Sequence, residues 1–541
     1  MRVRHRVAVG VLAAFVVWAG SAADGGARPA TGAGVAAPAS SQKSKNLQRA
    51  ERALREGEFE QAEKMFRELL AKNPKDHAAR LGLSFALLKQ RKIQDAFDAA
   101  ARVLSLDPMS PRAHALLGAS LLASGDFRLS VEEFRTALSF KDNEAMAIAG
   151  LAMVDFYENR TADSLAGLRR AAFIDPEEPD YHFNLGQVAA RFERYAEAAD
   201  AYEDFLRIAP RTDAERRARI RGLIDFLRYL GTQRSLLRTG GPERVRVPIE
   251  VVNNRPVVQV RINGSKEVMR FVIDTGAGMC VVSTQSAKRL GLRPVARGGL
   301  ARAVGGGGKF EIVYGFLNSL HLGEARVDNV PVYIRDFFND QEPVDGYVGL
   351  SVVSKYLALI DYSTREMTMM RDGGRPSPEE EAARPAGVDV PIRSTSSGFW
   401  SGEIGLDGIE RPLNFIIDTG ASITVVSEDL AEREGMGRFT QANRLKVYGA
   451  AGVAENVPVL LLPRVTVGSH VRRNVSAAVL DLDSVNETSG FEQTGILGGN
   501  ILRFFRVSFD FGRGVVRMEM IPGYVPPVTT PREATITPQG Y

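Results

Sequence analysis

The residues with the most chemistry in them are two aspartates in matched settings. Asp274-Thr275-Gly276-Ala277 recurs as Asp418-Thr419-Gly420-Ala421. Each copy follows an apolar run, Phe271-Val272-Ile273 and Phe415-Ile416-Ile417, and leads into a second β-like run, Cys280-Val281-Val282 and Thr424-Val425-Val426. A carboxylate between two such runs is bound for the interior, where an unpaired charge is expensive. Each Asp needs a partner, and the obvious partner is the other Asp. Two carboxyl groups brought together do not both ionise readily and share a proton, which leaves one acid beside one base. Other chemistries find less support. The single cysteine, Cys280, sits in an apolar run and has no His near it in sequence, so it is expected to be a small core residue. The six histidines have no metal-ligand spacing, and no metal or cofactor is expected.

The duplication extends past the motif. Asn263-Gly264 and Asp407-Gly408 are hairpin-turn signals ahead of each Asp, since these residues tolerate positive φ. Gly305 and Gly449 each open a glycine-rich segment after it. Then come Tyr347-Val348-Gly349-Leu350 and Ile496-Leu497-Gly498-Gly499, and each copy closes on a strand-like run, Leu359-Ile360-Asp361-Tyr362 and Val507-Ser508-Phe509-Asp510-Phe511. Two copies of one small β domain are implied.

This pattern resembles the aspartic peptidases, and the retropepsin-like branch more than the pepsins. It covers roughly residues 244–371 and 388–521. Both copies have Ala277 and Ala421 after the triplet, where pepsins usually carry Ser or Thr. The resemblance implies an aspartic endopeptidase in which Asp274 and Asp418 are the catalytic dyad. The ionised carboxyl takes a proton from water while the protonated one hydrogen-bonds the scissile carbonyl. It gives Thr275 and Thr419 the role of holding the two Asp side chains coplanar, and makes Gly276 and Gly420 the tight turn. Gly305, Gly306, Tyr448 and Gly449 become flap residues over an extended peptide or protein substrate. The alternative is a non-catalytic scaffold whose protease-like cleft holds peptides without cutting them.

Ahead of the β domains the chain repeats every 34 residues, with Pro74, Pro108, Pro176 and Pro210 on one register and Asp142 in the missing slot. Leu83, Leu117, Leu151 and Leu185 share another, each followed by a small residue: Ser84, Gly118, Ala152 and Gly186. The period resembles the tetratricopeptide (TPR) repeat, a helix-turn-helix unit. Five units are expected, closed by an amphipathic helix at 213–230 with Ile220, Leu223, Ile224 and Leu227 on one face. Such a solenoid either only packs or offers a concave groove to a protein partner.

The expected fold class is therefore multidomain: an all-α TPR solenoid followed by two all-β retropepsin-like acid-protease domains. Arg2, Arg4 and Arg6 precede a short apolar run at 7–18 and then small residues, which is the pattern of a secretory signal peptide. The expected divisions are a signal peptide at 1–23, a flexible linker at 24–44, the solenoid at 45–238, the β domains at 244–371 and 388–521, a solvated linker at 372–387 between them, and a disordered tail at 522–541. Export to the periplasm or medium is expected, with a signal anchor as the alternative. Thr239-Gly240-Gly241-Pro242 reads as a break that makes the repeats a separable arm. The net charge of +4 over 541 residues does not point to nucleic acid, and no later stretch is long and apolar enough for a membrane span.

Overall fold

The computed structural model describes residues 39–305, 308–338, 343–450, 452–525 and 533–536. The expected signal peptide lies outside the described residues. The helix Ala39–Arg55 begins inside the stretch expected to be linker. From Leu47 onward the described residues form one compact unit.

Among the described residues eleven helices run from Ala39–Arg55 to Ala214–Gly231. The helices Phe59–Lys72, Ile93–Leu104, Thr161–Ile174 and Tyr195–Ile208 each stop shortly before a register proline, which has no N–H to continue them. The small register residues make room for rings. A Cβ at Gly118 would fall 2.8 Å from the Phe134 ring, and one at Gly186 would fall 2.9 Å from Tyr202. Ser84 uses its position differently, donating its hydroxyl to the Ala96 carbonyl at 2.7 Å.

The last helix, Ala214–Gly231, starts where the Asp213 carboxylate accepts from the Arg216 N–H at 2.8 Å. Its expected face is confirmed: Ile220, Ile224 and Leu227 join the core of the repeats, with Leu223 packed against it. A terminal cap should leave its other face polar. Here that face is buried too, because Phe226 and Leu230 pack with Ala301, Ile312 and Tyr314 of the first β domain. Phe226 stacks on Tyr314 at 4.2 Å. Gly222 lets the helix approach the strand Ala296–Arg302 so closely that a Cβ there would lie 2.0 Å from the Arg297 carbonyl oxygen. The helix is a joint, and the expectation of a separable arm is corrected. The glycine-rich break does not separate the parts either. Arg238–Gly240 is a strand paired with Ala325–Arg335, Thr239 opposite Val327.

The β region forms a nine-stranded and a fourteen-stranded sheet among the described residues. The duplication is literal around each motif: Met269–Ile273 pairs in parallel with Gly346–Val348, as Leu413–Ile417 does with Gly495–Leu497. The closing strands of the two copies pair with each other, Ala358 opposite Phe509 and Asp361 opposite Arg506. One continuous sheet therefore crosses from the first copy into the second. At this seam burial would raise the Asp361 pKa, but the Ser363 hydroxyl, the Thr364 N–H and Arg506 at 2.9 Å together hold it below the ordinary carboxylate value. The stretch 372–387 is not simply solvated linker. It holds the short helix Pro378–Ala382, capped reciprocally by Ser377 and Glu380. In the stretch expected to be disordered, Glu533–Thr535 forms a strand paired with Thr440–Gly449. No described helix is long and apolar enough to cross a membrane.

Candidate active site

Each Asp directly follows a central strand, Met269–Ile273 or Leu413–Ile417, and its backbone continues the pairing to the parallel neighbour. The Asp274 N–H donates to the Val348 carbonyl and the Asp418 N–H to the Leu497 carbonyl, both at 3.0 Å. The glycines after these strands permit close passage behind the loops. A Cβ at Gly349 would lie 2.4 Å from the Met279 carbonyl oxygen, and one at Gly498 would lie 2.4 Å from that of Ile423. Cys280 lies in the same layer as a buried core residue. Burial pushes its thiol up to about 11, as expected of an inert cysteine.

The two motif loops are crossed. Thr275 Oγ1 donates to the Ile417 carbonyl at 2.7 Å and accepts from the Thr419 N–H at 3.0 Å. Thr419 Oγ1 returns both bonds, to the Ile273 carbonyl at 2.7 Å and from the Thr275 N–H at 3.2 Å. Within each loop the glycine N–H points back to its own carboxylate: Gly276 to Asp274 Oδ1 at 2.8 Å, and Gly420 to Asp418 Oδ1 at 2.7 Å. Gly276 is required for a second reason. A Cβ there would sit 2.4 Å from Asp418 Cγ, so the second carboxyl lies against the backbone of the first loop. Asp274 and Asp418 are both fully buried. The fold thus gathers Asp274, Thr275, Gly276, Asp418, Thr419 and Gly420 into one cluster within one chain.

Each threonine hydroxyl serves two buried backbone groups, so its loss is expected to be costly. A buried polar group left without its partner costs about 1–3 kcal/mol. Thr275→Val should therefore lower the urea midpoint clearly, while Thr275→Ser, which keeps the hydroxyl, should stay close to wild type. Equal midpoints for the Val and Ser variants would show that the crossed bonds do not hold the loops.

Three of the four flap residues are described, and Gly306 lies outside the described residues. The two hairpin tips meet: a Cβ at Gly305 would lie 2.9 Å from the Gly449 Cα. Arg335 Nη1 donates to the carbonyl of Ala450 at 3.2 Å, tying a strand end of the first copy to the tip of the second. Tyr448 is buried beside this junction. It lines a cavity of about 300 Å³ together with Arg255, Arg335, Tyr347, Thr535 and Ile536. Ser422, four residues past Asp418, is a site residue that sequence reasoning misses. Its N–H donates to the Thr535 carbonyl at 2.8 Å, and its Oγ accepts from the Thr535 N–H at the same distance. The one available signal is asymmetry, since the equivalent position in the first copy is Gly278. Among the described residues no group of three or more His, Cys, Asp or Glu is arranged to hold a metal ion.

Comparison with known proteins finds two kinds of family along the chain. The aspartyl protease family model matches residues 258–352 and 401–501. Two tetratricopeptide repeat models match residues 53–120 and 150–211. No curated protein sequence matches. Solved structures similar to the chain include a thermophilic TPR protein of Thermus thermophilus, at 19% identity over 34% of this chain and 98% of that one, with a TM-score of 0.30. MamA of Desulfovibrio magneticus RS-1 is 22% identical over 31% of this chain and 94% of its own, with a TM-score of 0.23. The pilF protein of Pseudomonas aeruginosa is 15% identical over 36% and 85%, with a TM-score of 0.27. The chain carries a tetratricopeptide-repeat region followed by a retropepsin-like aspartyl protease region in two segments.

Proposed function

We propose that the protein is an aspartic endopeptidase that hydrolyses peptide bonds with Asp274 and Asp418 acting as one dyad. The observation that carries this reading is the reciprocal crossing of Thr275 and Thr419, which holds both carboxyls buried at one point. Two carboxyls so placed share a proton. The ionised one removes a proton from a water as that water attacks the scissile carbonyl. The protonated one hydrogen-bonds the carbonyl oxygen, and the proton returns to the leaving amine. The pair titrates as a unit, so neither Asp is permanently the acid. The peptide would lie between the motif loops and the hairpin tips at Gly305 and Gly449, bonded through its backbone as an added strand.

The repeats are proposed to recruit a protein substrate or partner along their surface. Export is proposed from Arg2, Arg4 and Arg6 ahead of the apolar run at 7–18. The experiment is digestion of an unstructured protein such as casein with and without pepstatin. Cleavage that pepstatin suppresses is expected. Intact casein after prolonged incubation with folded protein, its own C-terminal segment removed, would favour the scaffold that binds without cutting.

A further inference from the structure

The C-terminal strand lies between the second motif loop and a hairpin strand, the place proposed above for a peptide. Glu533–Thr535 runs parallel to the hairpin strand Thr440–Gly449, with Ala534 opposite Val447 and Thr535 opposite Tyr448. The segment is held on two sides. On the floor, Ser422 takes both backbone groups of Thr535: its Oγ accepts from the N–H and its N–H donates to the carbonyl, each at 2.8 Å. On the flap side, the Ile536 N–H donates to the Tyr448 carbonyl at 3.0 Å. Ser422 follows the second motif directly, so the segment is bonded to the loop that carries Asp418.

The side chains repeat the arrangement. Ala534 and Ile536 are buried in one cluster with Ala421 of the motif loop, Val304 of the first hairpin tip and Val447 of the second. Ile536 Cδ1 lies 3.6 Å from where a Cβ on Gly305 would sit. Alternate residues of an extended strand share a face. The floor and the two hairpin tips therefore enclose a small residue and, two positions on, an aliphatic one.

We propose that the protein's own Glu533–Ile536 is the resident occupant of the peptide groove at Ser422 and Tyr448, that a substrate must displace it, and that the groove at this point favours the occupant's own pattern, small–x–aliphatic. The subsite rests on reading the cleft as a peptide groove. It does not require that the cleft cut. A tethered occupant competes at the high effective concentration set by its linkage, without any new contact. Strand addition supplies its affinity through the main chain, and the two enclosed side chains supply the selectivity.

The test compares the full chain with one ending at Val525. A labelled synthetic peptide spanning Pro531 to Tyr541 is titrated into each and followed by fluorescence anisotropy. The shortened chain is expected to bind it about tenfold or more tightly than the full chain, in which the tethered copy competes. On a peptide substrate the shortened chain should show a KM lowered by a similar factor with kcat unchanged, and the added peptide should inhibit competitively. If removing the segment unfolds the protein, Thr535→Pro in the full chain serves instead. It removes the N–H that Ser422 accepts and should produce the same gain in peptide binding. Equal peptide affinity and equal KM in a folded shortened chain, or in Thr535→Pro, would overturn the proposal. Tighter peptide binding without casein cleavage would sustain the subsite and sink the peptidase reading. Cleavage with an unchanged KM would do the reverse.

Discussion

Asp274→Asn and Asp418→Asn are each expected to lower kcat/KM on a short unstructured peptide by about 10³-fold or more, and the double variant should be little worse than either single one. Positioned proton transfer contributes about 10²- to 10⁴-fold in rate. An Asn can neither hold the shared proton nor take one from water, so one substitution disables both halves of the dyad. Groups that act as a unit show such non-additive losses. Asn has the shape of Asp, so it leaves the crossed threonine bonds and the glycine turns in place, and the unfolding midpoint should move little. Mixing the two inactive variants should restore nothing. The closing strands of the two copies pair inside one chain, Ala358 opposite Phe509, and both motif loops are crossed inside the same chain. A single variant with more than about a tenth of normal activity would mean that the chemistry is not a two-carboxylate proton transfer. Activity regained on mixing would mean that the working pair forms between chains.

The cluster at the centre is legible in the sequence because its determinants are local and duplicated. An Asp between two apolar runs, a glycine for the tight turn and a second glycine behind it each leave a mark within a few residues, and their recurrence removes chance as an explanation. The helical period is legible for the same reason. What escapes are features whose stability is borrowed from distant partners. Glu533–Thr535 lies in a stretch whose prolines and threonines signal disorder, and three residues cannot hold a strand alone. Its order comes from Thr440–Gly449 and Ser422, far away in sequence. Phe226 and Leu230 sit on the side of the last helix that a terminal cap would turn outward, and the strands that cover them belong to another domain. Composition marks a break around Gly240 and Gly241, but Arg238–Gly240 pairs with Ala325–Arg335.

That joint gives the second large effect. Phe491 lies in the second β domain, between the helix Asp483–Ser489 and the strand Gly495–Leu497, yet it belongs to the hydrophobic core of the repeats. It is fully buried, edge-to-face against Phe127 at 4.9 Å and against Tyr157 at 5.1 Å. The next residue fastens the backbone, the Glu492 N–H donating to the Ala123 carbonyl at 2.9 Å. Nearby, Ser394 Oγ donates to the Phe156 carbonyl at 3.1 Å. Removing a buried phenylalanine costs about 3–5 kcal/mol, because the cavity left behind collapses only in part. Phe491→Ala should therefore lower the thermal midpoint by several degrees, and helix content and peptidase activity should be lost in one shared transition. Phe127→Ala should show a coupled loss, since the two rings share one contact. A chain beginning at Arg238 would strip Phe127 and Tyr157 from Phe491 and Phe226 from Tyr314, exposing apolar surface at both places, and it is expected to aggregate. The measurement is calorimetry of the full chain alongside expression of the shortened one. Two well-separated transitions, with the first confined to the helices, would show that the repeats fold on their own. A soluble, active chain starting at Arg238 would sink the shared core outright, and the repeats would again be a separable arm.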